Sequence, residues 1–268
     1  DEIVRVIATG PISKCVAPSP DGRFMAISHW GDNTLTLLDI SGEDPMAFHY
    51  VARLVVEREL DLSRVSGNRD QHCGFCLRGM AYDKEGRHLF VARMGGGGIA
   101  IFDLMASPPR YLGSVFGMKP TPRDLLVTRD GRWLYMSCNR SGYIARVPTE
   151  TLLRAIGENT RPTLDAAAFD EVYVGPAART IRFSPDERFL FVAVNRKSEI
   201  AVLEAATMKV ITRVPVNSFP VGLALSPDGK RLWVTSQGRH GLGGNAVCVF
   251  AVRSPEGRTT RSAGDPPG

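Results

Sequence analysis

Short apolar runs alternate with turn-forming residues along most of this chain, and they recur in one fixed order. Five segments align in register: Cys15–Gly31 (CVAPSPDGRFMAISHWG), Gly79–Gly95 (GMAYDKEGRHLFVARMG), Asp124–Arg140 (DLLVTRDGRWLYMSCNR), Thr180–Arg196 (TIRFSPDERFLFVAVNR) and Gly222–Gly238 (GLALSPDGKRLWVTSQG). In each, an apolar run enters a Ser-Pro-Asp-Gly type turn, where Pro and Gly favour a tight reversal. A second run rich in β-branched and aromatic residues follows, as expected of a strand. A third run closes every copy: Thr34–Asp39, Ile99–Asp103, Tyr143–Val147, Ile200–Glu204 and Val247–Val252.

A fourth, less regular run completes four units, at Phe48–Val56, Tyr111–Phe116, Phe169–Val174 and Lys209–Val216. The fifth unit ends in the polar stretch 253–268, and the missing strand is sought at the other terminus, in Ile3–Ala8 (IVRVIA). Self-similarity at this spacing signals a repeat architecture. The expectation is an all-β propeller of five four-stranded blades over residues 1–252, closed by the N-terminal strand joining the last blade, which would leave no exposed sheet edge. The inserts at Met46–Gln71 and Pro148–Asp170 are too short for further blades, and Thr149–Gly157 within the second reads as a helical turn.

The Ser-Pro-Asp-Gly pattern followed by an apolar strand and Asn, seen best in Thr180–Arg196 and Val221–Gln237, resembles the YVTN family of propeller repeats across about 240 residues. This resemblance implies the fold and says little about activity. Two segments, Thr121–Gly131 and Gly175–Asp186, also resemble the propeller lactonases, whose blades carry a Pro-Arg-His start before a similar turn. Asp124 and Thr180 stand in the place of that His.

Charge adds a site to the picture. The 268 residues carry a net charge of +5, with 27 Arg against 6 Lys. Arginine's planar fork suits bidentate contacts to carboxylate or phosphate. At one equivalent position, at the start of the innermost strand, the five blades carry Lys14, Arg78, Arg123, Arg179 and Val221. The second strands end on the same face with His29 and Trp30, Arg93 and Met94, Asn139 and Arg140, Asn195 and Arg196, and Gln237, Arg239 and His240. Like charges around a channel raise one another's energy unless an anion or carboxylates share the space. The expected function is therefore binding of an anionic small molecule or an acidic peptide by Lys14, Arg78, Arg123, Arg179, Arg93, Asn139, Asn195 and Gln237. The bland alternative is that these cations splay outward or pair with loop carboxylates such as Asp32, Asp70 or Asp170.

The second functional class is an enzyme, a lyase or a lactonase-like hydrolase on the same face, with His29, His72 or His240 transferring protons. His72-Cys73-Gly74-Phe75-Cys76 leads into the second blade. It leaves three options open: a zinc or copper site, a local disulfide, or two free thiols. Among the remaining cysteines, Cys248 is expected to be buried in an outer strand.

Other patterns narrow the field. No basic run with interleaved aromatics points to nucleic acid, and no stretch reaches the ~20 apolar residues of a membrane helix. Gly95–Gly98 opens no helix, so it lacks the geometry of a phosphate loop. An odd cysteine count leans toward a reducing compartment, while the missing initiator Met leaves an exported mature form open.

Overall fold

The computed structural model describes residues 2–64, 72–239 and 243–253. Five antiparallel sheets follow one another as the blades of a propeller. Blade 1 holds β1 (Ser13–Pro18), β2 (Phe24–His29), β3 (Thr34–Asp39) and β4 (His49–Val55). Blade 2 holds β5 (Leu77–Tyr82), β6 (His88–Arg93), β7 (Ile99–Asp103) and β8 (Arg110–Val115). Blade 3 holds β9 (Pro122–Val127), β10 (Trp133–Cys138), β11 (Tyr143–Pro148) and β12 (Asp170–Tyr173), with helix α1 (Thr149–Glu158) between its last two strands. Blade 4 holds β13 (Ala178–Phe183), β14 (Phe189–Val194), β15 (Glu199–Glu204) and β16 (Lys209–Pro215). Blade 5 holds β17 (Pro220–Leu225), β18 (Arg231–Ser236) and β19 (Ala246–Ala251).

The turn between the first two strands is built alike in every blade. The amide of Gly22, Gly86, Gly131, Glu187 or Gly229 donates to the carbonyl three residues earlier, with N···O distances of 2.8–3.1 Å. That residue has positive φ in all five, including Glu187 at 56°, which explains why glycine recurs there. In the Ser-Pro-Asp turns the Ser hydroxyl donates to the Asp carboxylate, as with Ser226 and Asp228.

Inner strands pack in sequence, β1 on β5, β5 on β9, β9 on β13 and β13 on β17. Apolar clusters fill the four junctions between successive blades. Leu35, Leu37, Leu77 and Leu89 sit in the first, and Phe191, Ile200, Leu232 and Val234 in the last. Burial of this kind contributes roughly 1.5–3 kcal/mol per large aliphatic side chain.

The closing strand expected from Ile3–Ala8 is not formed. Residues 2–9 make no strand, and blade 5 has three strands among the described residues. The segment is held on blade 1 instead. Arg5 donates to the carbonyls of Pro45, Met46 and Phe48 at 3.1, 2.6 and 2.7 Å, and the Gly10 amide donates to His29. Alternating apolar residues mark a strand only if an edge receives them, and this arginine finds three acceptors in the blade 1 loop. Ile3 and Val6 are consequently exposed, as are Val247 and Val249 of β19.

Candidate functional site

All five inner strands depart from regular pairing at one place. The register shifts between Ser13 and Cys15, Leu77 and Met80, Pro122 and Asp124, Ala178 and Ile181, and Pro220 and Gly222. The bulged residues include Lys14, Arg78, Arg123, Arg179 and Val221, the equivalent positions noted in the sequence. A β-bulge bends the strand and re-aims the side chain it carries. Two residues before each lies a non-glycine residue with positive φ: Ile12 (55°), Cys76 (47°), Thr121 (66°), Ala177 (62°) and Phe219 (56°). A backbone region that L-residues rarely adopt thus recurs five times at the strand entrance.

Lys14, Arg78 and Arg123 meet at a cavity of about 120 Å³, lined also by Cys15, Gly79, Asp124, Thr180 and Arg182. Arg123 is only 6% exposed. Burial, then the charges of Arg78 and Arg179, push its guanidinium down to about 9, while Asp124 opposes the shift. Burial first, then Arg78 and Arg196, also lowers Arg179. Arg179 donates to Gln237 at 3.3 Å, and its buried Nε has no partner among the described residues.

The carboxylate at the cavity serves other cations and amides. Asp124 Oδ2 accepts from Arg182 Nη1 and from the Ile181 amide, each at 3.0 Å. No hydrogen bond or ion pair to the Arg123 guanidinium occurs among the described residues. Lys14 Nζ and the Arg78 guanidinium lie 5.5 and 5.9 Å from the centre of the Trp30 ring, whose negative face attracts both cations. The structure thus brings Lys14, Arg78, Arg123, Arg179 and Gln237 to one region of the channel.

The remaining candidates are placed elsewhere. Arg93 is 2% exposed, pairs with Glu57 at 2.7 Å, donates to Ser114, and stacks between Phe75 and Phe116. It sits one residue earlier in the repeat than Asn139, Asn195 and Gln237, and strand alternation turns it into the blade. Asn139 and Asn195 are ties between blades: their Nδ2 groups donate to the carbonyls of Ala178 (3.1 Å) and Pro220 (2.9 Å).

His29 is fully buried. Its Nε2 accepts from the Gly10 amide at 3.0 Å, which leaves Nδ1 to donate to Thr34 Oγ1 at 2.7 Å, and Thr34 in turn donates to Asp32. Burial lowers its pKa. Both ring nitrogens are thus bonded within the protein, and His29 does not line the channel cavity. His72 is exposed and does not line the channel cavity, and His240 lies outside the described residues.

Cys73 and Cys76 form a disulfide. Their sulfurs are therefore not thiolates available to zinc or copper, and no group of three or more His, Cys, Asp or Glu is gathered for a metal among the described residues. Cys248 is half-buried rather than buried, because β19 has no fourth strand over it among the described residues.

Asp124 and Thr180, in the place of the lactonase His, are both committed to the frame. Thr180 Oγ1 donates to the Val221 carbonyl at 2.6 Å. A second, apolar cavity of about 260 Å³ lies between blades 4 and 5, lined by residues such as Phe191, Ile211 and Phe250, and is remote from this chemistry.

The five positive-φ entrances were not readable from sequence, since Ile12, Cys76, Thr121, Ala177 and Phe219 share no residue type. Trp30 and Arg182 also escaped selection as site residues. The signal for Arg182 was its place three residues after Arg179 in the same inner strand.

Against known proteins, the resemblance lies in fold. No family model matches the chain, and no curated protein matches it. Solved structures do. A protein from Lactobacillus plantarum matches with a TM-score of 0.69 at 18% identity, covering 94% of this chain and 71% of its own. Hydrazine synthase of Kuenenia stuttgartiensis matches with a TM-score of 0.66 at 14% identity, covering 94% and 67%. A periplasmic gluconolactonase of Pseudomonas aeruginosa matches with a TM-score of 0.62 at 19% identity, covering 90% and 66%. This is a β-propeller. The propeller spans about two thirds of the length of these solved chains.

Proposed function

We propose that this propeller binds a small anionic molecule at the channel cavity, with Arg123 as its central contact and Arg78, Arg179 and Lys14 around it. The observation that carries the reading is Arg123 itself: a cation 6% exposed, among like charges, with the nearby carboxylate of Asp124 bonded to Arg182. Burying an unpaired charge is costly, and an anion would remove that cost. A cavity of about 120 Å³ has room for one carboxylate or phosphate group, so an acidic peptide would enter by a single side chain.

The test is thermal unfolding with phosphate, sulfate, citrate and gluconate. A ligand at a hundredfold excess over its dissociation constant adds about 2.7 kcal/mol, or about 5–10 °C for a domain of this size. Arg123→Met should abolish the response while raising the melting temperature of the ligand-free protein, because it removes the uncompensated charge. No shift with any of these anions, together with a less stable Arg123→Met variant, would refute the reading.

A second reading, lactone hydrolysis, is favoured by the likeness to a gluconolactonase. The cations would then stabilise a developing oxyanion. The cavity lining contains no His, and Asp124 is already paired, so the binding reading is preferred. Turnover of gluconolactone that Arg123→Met abolishes would reverse that preference.

A further inference from the structure

Two residues outward from the channel cations, the same face opens into a second cavity. Its volume is about 540 Å³, and its lining is Thr121, Asn139, Arg140, Pro176, Ala177 and Arg196. Thr121 and Ala177 are the positive-φ residues two places before Arg123 and Arg179. Two residues span at most about 7 Å of chain, so the two cavities lie within a small molecule's reach of each other. Arg179 follows Ala177 of the outer cavity by two residues and precedes Thr180 of the channel cavity. It feels the charge of Arg78 on the channel side and of Arg196 on the outer side, and its buried Nε has no partner among the described residues.

The outer cavity has its own cations. Arg140 and Arg196 are exposed, and no carboxylate is among the residues lining this cavity. Both follow the asparagines that tie the blades together, Asn139 to Ala178 and Asn195 to Pro220. Those ties fix the backbone from which the two arginines project. Blade 1 has Gly31 at the equivalent position, and blades 2 and 5 have Gly95 and Gly238, so this pair is confined to blades 3 and 4. At this one repeat position cations therefore occur in the two adjacent blades 3 and 4 alone.

We infer that the ligand is a small dianion, with one anionic group against Arg123 in the channel cavity and the second between Arg140 and Arg196 in the outer cavity. This rests on the proposed binding site and adds the ligand's second charge and its length. Arg179 lines neither cavity, and its charge adds to the attraction for a dianion at both. A monoanion fills only the inner cavity. A dianion too short to reach the outer arginines gains nothing from its second charge.

Titration calorimetry with α,ω-dicarboxylates from malonate to suberate, at constant ionic strength, tests this, with phosphate and hexanoate as controls. Affinity should pass through a maximum at intermediate length, about tenfold or more tighter than hexanoate. In the double variant Arg140→Ala/Arg196→Ala the length preference should vanish while phosphate binds as in the parent protein. Arg123→Met should lose all of these ligands. Dicarboxylates that bind no tighter than hexanoate, or a preference that survives the double variant, overturn the dianion inference and leave simple anion binding standing. Failure of phosphate, hexanoate and every dicarboxylate to bind overturns both.

Discussion

The carboxylate of Asp124 accepts a 3.0 Å hydrogen bond from Arg182, three residues along β13 from the cation at its entrance, and not from Arg123 beside it in β9. The bulge at Arg123 breaks the regular alternation, so both residues line the cavity. The Asp124 carboxylate nonetheless reaches across to blade 4 and bonds Arg182 and the Ile181 amide. Asp124→Asn keeps the shape and removes the charge. It should weaken the fold by freeing Arg182, and it should tighten phosphate binding, since the cavity would lose its one carboxylate. Calorimetric titration of the variant checks this, and weaker phosphate binding would contradict it.

His29 makes the fold sensitive to acid. Its folded pKa lies below the ordinary 6.5 because it is buried, so the unfolded chain takes up the proton first as pH falls. The stability of the wild type should therefore drop below about pH 6.5, by up to about 1.4 kcal/mol per pH unit from this group. Protonating Nε2 would also turn an N–H toward the Gly10 amide that now donates to it. Urea unfolding at pH 7.5 and pH 5 should show a smaller loss for His29→Gln than for the wild type.

Gly79 allows β5 and β9 to approach at the cavity. A Cβ there would sit 2.5 Å from the Arg123 carbonyl oxygen and 2.6 Å from the Asp124 Cα, both backbone atoms. Gly79→Ala should cost about 1–3 kcal/mol. Because the displaced atoms carry Arg123, phosphate affinity should fall in the same variant. A variant with normal stability and normal affinity would show that the approach is not needed.

Much of this was legible because each part repeats. The Ser-Pro-Asp-Gly turns recur with one hydrogen-bond pattern, and even Glu187 takes the glycine conformation in its copy. Register alone therefore aligned Lys14, Arg78, Arg123 and Arg179. What failed depended on partners outside the repeat. Ile3–Ala8 has a strand's alternation but is drawn to the blade 1 loop by Arg5. Arg93 looked like a funnel residue until a one-residue offset turned it onto Glu57. Asn139 and Asn195 offered donors that the neighbouring blades had already taken.

The free cysteines report on these environments independently. Cys138 is buried and its thiol is pushed up to about 12 by that burial, while Cys15, at the cavity, is raised by burial and then by Asp124. Cys248 is half-buried on the last strand. Alkylation of native protein should label Cys248 first, Cys15 more slowly and Cys138 last. Phosphate should slow the labelling of Cys15 alone. Equal protection of Cys248 would place the anion elsewhere.

The most direct test is to locate the anion. Crystals soaked in selenate should show an anomalous difference peak in the channel cavity, within hydrogen-bonding distance of Arg123 and close to Arg78 and Arg179, and crystals of Arg123→Met should not. Selenate found only on outer surfaces of the blades, with the channel cavity free of it, would contradict the account.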